Sequence, residues 1–251
     1  MLPVSYQELE PQYMKTGSFP SQGGMAACLH VLATRGVNFG DIDFLIGGSV
    51  LAFLCGQGKK GAKYLAQMCP STKMVIVSKH KTYTQNFGQR GFQFERLVTG
   101  QDMYGLHDLT AHEHLQLLRI GKFRVLATAE VDAVDDQGRP VELKSSNPRF
   151  FGIDTLLQMV SSGSQLLLHP HTTGLTVEKI HCIPMEQLAS KVAEDVKETD
   201  RQIVAAFERL DASKESMTNE RYSVLPDGRL RTAEGEALLP QQQVIEDLLK
   251  D

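Results

Sequence analysis

The feature that most constrains this chain is a pair of strand-patterned segments, residues 123–135 and 139–146, flanking Asp136-Gln137-Gly138. Alternating small apolar and polar residues mark both segments as strands, and the Asp-Gln-Gly stretch is a compact turn signal. Side chains alternate across a strand, so Glu130 and Asp132 share one face, as do Glu142 and Lys144. A turn centred on Gln137 sets Asp132 opposite Glu142 and Glu130 opposite Lys144, while Val131 and Leu143 point into the core. Two carboxylates facing each other destabilise a bare hairpin. A hard divalent cation reverses that sign, because Mg²⁺ and Mn²⁺ prefer carboxylate oxygens.

Each residue of the hairpin then has a task. Asp132 and Glu142 are expected to ligate a metal directly, with Glu130 completing a second position or acting through water. Such a metal polarises a phosphoryl oxygen and acidifies water. Lys144 is placed to orient that water or to balance charge on the phosphate. The competing reading is an exposed hairpin with cross-strand salt bridges. Three acids and one lysine, flanked by buried-type residues (Val125, Ala127, Ala129, Val141, Leu143), speak against it. An acid, a variable gap and Glu-x-Lys on adjacent strands also resemble the nuclease core of restriction endonucleases.

The remaining pattern is that of an α/β protein, a central mixed β-sheet flanked by helices. Helices are expected at 25–36, closed by Gly36, and at 59–69, 83–100, 150–160 and 185–210, the last long and amphipathic. Buried strands are expected at 72–79, 165–169 and 176–184. Gly47-Gly48 marks a turn or a close backbone approach. Residues 109–121 have amphipathic spacing compatible with helix or strand. Residues 1–24 form an extended leading segment. The last forty residues suggest a short hairpin around Pro226-Asp227-Gly228 and a terminal helix, 241–250. With 251 residues and no convincing linker, one domain spanning 1–251 is expected.

Composition excludes several functions. A formal net charge of −4 makes phosphate binding a local matter. Candidate basic groups are Lys59, Lys60 and Lys63; Lys79 and Lys81; Arg119, Lys122 and Arg124; and Arg139 with Arg149, each equally readable as a solvated face. Tryptophan is absent and aromatics are 7%, which limits base-stacking platforms. Four scattered cysteines without a CxxC pair, no apolar run of membrane-spanning length and no leader-like start point to an intracellular protein without membrane association. His112-Glu113-His114 and His169-Pro170-His171 lack helical zinc-ligand spacing and read as structural. Gly47-Gly48 precedes no Lys-Ser/Thr and is not a phosphate-binding P-loop.

Four short motifs in order resemble the DXO decapping and exoribonuclease family. They are Gly91-Phe92-Gln93-Phe94-Glu95, Glu130-Val131-Asp132, Glu142-Leu143-Lys144 and a helical Gln158. The resemblance spans about residues 43–185. It implies a site for two Mg²⁺ or Mn²⁺ ions fed by Glu95, Glu130, Asp132 and Glu142, with Lys144 and Gln158 near the scissile phosphate. It also implies an RNA 5′ end as substrate: a triphosphate, an incompletely methylated guanosine cap or a nicotinamide-dinucleotide cap, with possible 5′→3′ exoribonuclease activity. A 5′→3′ exoribonuclease partner and residence in the nucleus, rather than the cytoplasm, belong to the same implication. The sequence departs from the family in two places. Residues 43–49 lack an arginine that the family carries near its first motif, and His169-Pro170-His171 stands where the family runs into a Gly-Phe-Arg-like element. His169 and His171 are candidate replacements as phosphate contacts. Two other readings remain open: a DNA nuclease of the same core, and a catalytically weak RNA-end binder supporting a separate exoribonuclease.

Overall fold

The computed structural model describes residues 3–5, 16–20, 23–80, 82–86, 90–100, 112–217 and 221–233. The strands are β1 (Val4–Ser5), β2 (Thr16–Pro20), β3 (Phe44–Gly47), β4 (Lys63–Met68), β5 (Val75–His80), β6 (Thr82–Asn86) and β7 (His112–Ile120). They continue with β8 (Phe123–Val131), β9 (Ala133–Val134), β10 (Pro140–Leu143), β11 (Leu166–Thr173), β12 (Thr176–Pro184), β13 (Tyr222–Val224) and β14 (Leu230–Thr232). The helices are α1 (Gly23–Thr34), α2 (Val50–Leu54), α3 (Arg90–Thr99), α4 (Ile153–Ser162), α5 (Met185–Lys191) and α6 (Ala193–Ser213).

A seven-stranded mixed sheet runs β14-β13-β4-β5-β3-β8-β7, and a five-stranded sheet runs β1-β12-β11-β10-β9. In the larger sheet β3 is parallel to both β5 and β8, and the other pairings are antiparallel. Alternation along β3 sends Phe44 and Ile46 to one face and Leu45 to the other, and all three are buried. On the first face Phe44 meets Phe123 and Phe207 edge-on, joining α6 to the sheet, with α2 and α4 in the same core. On the second face Met25 and Leu29 of α1 cover Leu45, Leu65, Ile76 and Leu126. Helices therefore flank the mixed sheet on both faces, as the sequence pattern predicts.

Some expectations fail for identifiable reasons. Residues 59–69 have good helix formers, yet 63–68 form β4, held between β13 and β5. Tyr64 through Met68 are all buried, so no two-residue alternation betrays the strand. Within 83–100 the helix is confined to α3, and residues 82–86 pair with β2. The helix expected at 185–210 is two: the Val192 N–H closes α5 on the Leu188 and Ala189 carbonyls before α6 begins. Residues 109–121 resolve as strand from His112, and the terminal helix expected at 241–250 lies outside the described residues. Among the described residues no helix is long and apolar enough to cross a membrane.

Candidate active site

Three parallel strands, β3, β5 and β8, point their carboxyl ends toward one cavity of about 280 Å³. Crevices at the carboxyl ends of parallel strands are the usual binding position in α/β sheets. β3 ends at Gly47, with Gly48 and Ser49 just after it; β5 contributes Ser78 and Lys79; the end of β8 contributes Thr128, Ala129 and Glu130. Glu113 of β7, Asp132, Glu142 and Lys144 complete the acidic wall, and Gln158 and Ser162 of α4 line the side. Gly48 is required by close approach: a β-carbon there would lie 2.8 Å from Ala129 Cβ.

The register read from the sequence holds over the turn and then stops. Val134 pairs with Pro140 and Ala133 with Val141, as a turn about Gln137 demands. Asp135 organises the loop, its Oδ1 accepting the N–H groups of Gln137 and Arg139, and Gly138 takes a positive φ of 73°. At Asp132 the chain bends, and β8 continues into the larger sheet. Glu130 therefore pairs with Glu113 rather than with Lys144. Asp132 does come beside Glu142, because its Oδ2 accepts the Leu143 N–H at 2.8 Å. That side-chain bond replaces the ladder bond lost at the bend.

Val131 and Leu143 are buried, as expected. Lys144 Nζ donates to Glu142 Oε1, with side-chain exposures of 26% and 7%. Burial tends to discharge Lys144, but Glu142 and Asp132 outweigh it and hold the ammonium. Burial raises Asp132 and Glu142 above the usual carboxylate range, against the pull of Lys144. Glu95, on α3, is pushed up to about 7 by burial and by Asp132, Glu130 and Glu142. That response ties it to the same cluster. Phe94 of α3 anchors the helix against Val141 and Leu143.

Sequence reasoning missed Glu113, treating 112–114 as structural. Burial and the facing Glu130 push its carboxyl up to about 7. A signal existed: Gly121, at φ 57°, opens a two-residue turn between Ile120 and Phe123. That register sets Glu113 opposite Glu130. His114 is structural, its Nδ1 donating to Ser162 O at 2.7 Å. His169 is also a support, donating through Nδ1 to Lys144 O at 3.0 Å and meeting Phe151 edge-on. With His171 and His181 it lines a separate surface cavity, so neither His169 nor His171 replaces the absent arginine inside the acidic one. Among the described residues the cation that lines the acidic cavity beside Lys144 is Lys79.

The donor chemistry suits a hard divalent cation, since Glu113, Glu130, Asp132 and Glu142 line the cavity with carboxylate oxygens and Glu95 feels three of them. Their side chains do not close on a point as they stand. Among the described residues no three His, Cys, Asp or Glu side chains converge so as to hold a metal ion. Lys144 sits on Glu142 and Leu143 N–H on Asp132, so ligation would require the carboxylates to turn.

Comparison with solved structures identifies the fold. S. pombe Rai1 superposes with a TM-score of 0.69 at 15% identity, over 93% of this chain and 84% of that one. Scheffersomyces stipitis Rai1 gives 0.67 at 12% identity, over 97% and 84%. Candida albicans Rai1, solved in complex with pU5-Mn²⁺, gives 0.61 at 10% identity, over 92% and 82%. The chain has the Rai1/Dxo1 fold. No family sequence model and no curated protein sequence matches it. At such low identity the Rai1/Dxo1 likeness is one of backbone. The placement of the carboxylates in the acidic cavity comes from this chain's own residues.

Proposed function

We propose that this protein hydrolyses the 5′ ends of RNA with the help of a divalent cation, Mg²⁺ or Mn²⁺. The observation that carries the reading is the convergence of Glu130, Asp132, Glu142, Lys144 and Gln158 on one cavity, with Glu95 coupled to them electrostatically. Support comes also from the shared fold, since the Candida albicans Rai1 complex contains pU5 and Mn²⁺ and an S. pombe Rai1 complex contains 3′-FADP.

Glu95, Glu130, Asp132 and Glu142 are the residues that would hold the metal, with one ion or two. A bound cation supplies charge that polarises a phosphoryl oxygen and acidifies water. The chain's own groups do the rest. Lys144, kept as an ammonium by its acidic neighbours, meets charge that grows on the phosphate. The Gln158 amide, on the rigid helix α4, orients the substrate from the side wall. Lys79 is a second cation inside the cavity and takes the phosphate-binding part left open by the missing arginine. The substrates that the family resemblance implies are triphosphate, incompletely capped and nicotinamide-dinucleotide-capped ends.

A second reading, an RNA-end binder that leaves turnover to an exoribonuclease partner, is favoured by the Lys144–Glu142 ion pair and by carboxylates that do not close on a point. End-labelled RNAs bearing each 5′ end, incubated with Mn²⁺ or EDTA, separate the two. Metal-dependent release of an end group, lost in Glu142→Ala, supports the hydrolase. A DNA strand cleaved as fast as RNA would overturn the RNA assignment. Binding without turnover on any end would leave the second reading.

A further inference from the structure

The charges of this chain are segregated along it. Between Asp43 and Glu95 there is no Asp or Glu, while seven Lys and Arg residues fall in that stretch, in a protein whose net charge is −4. The segment supplies β3, α2, β4 and β5, the half of the larger sheet away from the acidic strands. Three of its lysines, Lys59, Lys60 and Lys63, are exposed on the loop that leads from α2 into β4.

This loop is built to a definite shape. Gly56 and Gly61 adopt positive φ of 77° and 79°, and a β-carbon at Gly58 would press within 3.0 Å of the Phe53 ring. Phe53 in turn stacks on Tyr64 at 4.0 Å. The lysines rim a surface groove floored by Phe53, Tyr64 and Val224. The groove adjoins the acidic cavity at two points. Tyr64 donates to Ser49 Oγ at 2.9 Å, and Ser49 lines the cavity. Tyr64 also lies opposite Lys79 in the β4–β5 ladder, and Lys79, in the cavity wall, has its pKa lowered by burial and by Lys59. Among the described residues no carboxylate pairs with Lys59, Lys60, Lys63 or Lys79. Like charges held side by side by a shaped loop disfavour the free protein slightly and favour a polyanion laid across them.

We infer that the Lys59-Lys60-Gly61-Ala62-Lys63 loop is a second binding surface, a track for the backbone phosphates of a single RNA strand whose 5′ end occupies the acidic cavity. It rests on the RNA-hydrolase reading and extends it: the cavity selects the end, and the lysine track holds the body. The grip is electrostatic and indifferent to base, because Phe53 and Tyr64 stack on each other, buried beneath the groove, and leave little ring surface for a base.

The test compares 5′-phosphorylated oligouridylates, a dinucleotide and a strand of about fifteen nucleotides, by fluorescence anisotropy over a salt series with Ca²⁺ present as the divalent cation. The proteins are wild type, the triple variant Lys59→Ala/Lys60→Ala/Lys63→Ala, and the triple Lys→Arg variant at the same positions. Each phosphate neutralised on a single strand contributes about 0.7 to the salt slope, so losing three lysines lowers the slope for the long strand by about 2. Its affinity falls about tenfold or more at low salt and converges with wild type near molar salt. The dinucleotide binds unchanged, and the arginine variant keeps wild-type affinity. Equal binding of the long strand by wild type and the alanine variant would overturn the track while leaving the hydrolase reading intact. An equal loss for both lengths, with unchanged circular dichroism, would overturn it too. If wild type binds neither strand, the underlying RNA reading fails with it.

Discussion

Replacing Glu113 with Gln should stabilise this protein, and more so as pH rises. Glu113 and Glu130 face each other across β7 and β8, and like charges directly opposite on a sheet repel. Burial and that neighbour raise the Glu113 carboxyl from its ordinary 4.5 to about 7. The folded state therefore holds this proton more tightly than the unfolded chain does. Stability is lost as pH climbs from the unfolded value through the folded one, and the loss is complete above about pH 7. With 1.36 kcal/mol per pH unit, the full penalty is about 3 kcal/mol at pH 8 and about 1 kcal/mol at pH 5. Glu130 is exposed and Glu113 only partly buried, so solvent screening cuts these figures by about half. The glutamine variant should thus gain about 1 kcal/mol more at pH 8 than at pH 5. Urea denaturation of both proteins in EDTA at the two pH values measures this directly. A gain equal at both pH values, or larger at pH 5, would refute the like-charge account of the pair.

Asp132→Asn keeps an acceptor for Leu143 N–H but loses charge; it should fold, lose turnover by about a hundredfold or more, and lose any rise in melting temperature that Mn²⁺ gives the wild type. Glu142→Ala strands the Lys144 ammonium in a largely buried place and should cost about 3 kcal/mol in chemical denaturation. Adding Lys144→Met should recover most of that stability and none of the activity. Gly48→Ala drives a β-carbon to 2.8 Å from Ala129 Cβ and should cost about 1–3 kcal/mol, with Ala129→Gly as a second-site rescue visible in the melting temperature.

The parts of the fold legible in the sequence are those where one face is polar or a turn is punctuated. The β8–β10 region, α4 and the Pro226-Asp227-Gly228 hairpin all lie where expected. Strand β4 was not legible, because a strand buried on both faces shows only apolar continuity, and Ala66, Gln67 and Met68 are as much at home in a helix. The break at Val192 was equally hidden, since both helices present apolar residues to the same core.

The site was legible in its contacts but not in its topology. A simple hairpin places Asp132 beside Glu142 by extending the backbone ladder. The protein reaches the same neighbourhood by ending the ladder at Ala133 and letting the Asp132 carboxylate take the Leu143 N–H itself. That bend frees the end of β8 to join the larger sheet beside β3 and β7, while β10 is drawn into the smaller sheet beside β11. The acidic cavity is consequently the place where two sheets part. One sheet delivers Glu113 and Glu130, the other Glu142 and Lys144, and Asp132 is the hinge between them. An aspartate at the hinge thus has a structural reason to be there before any metal is considered, because an apolar residue would leave the Leu143 N–H without a partner at depth. The glutamates at 113 and 130 are placed instead by the β7–β8 register, and the raised Glu113 carboxyl follows from its burial with Glu130 set opposite it.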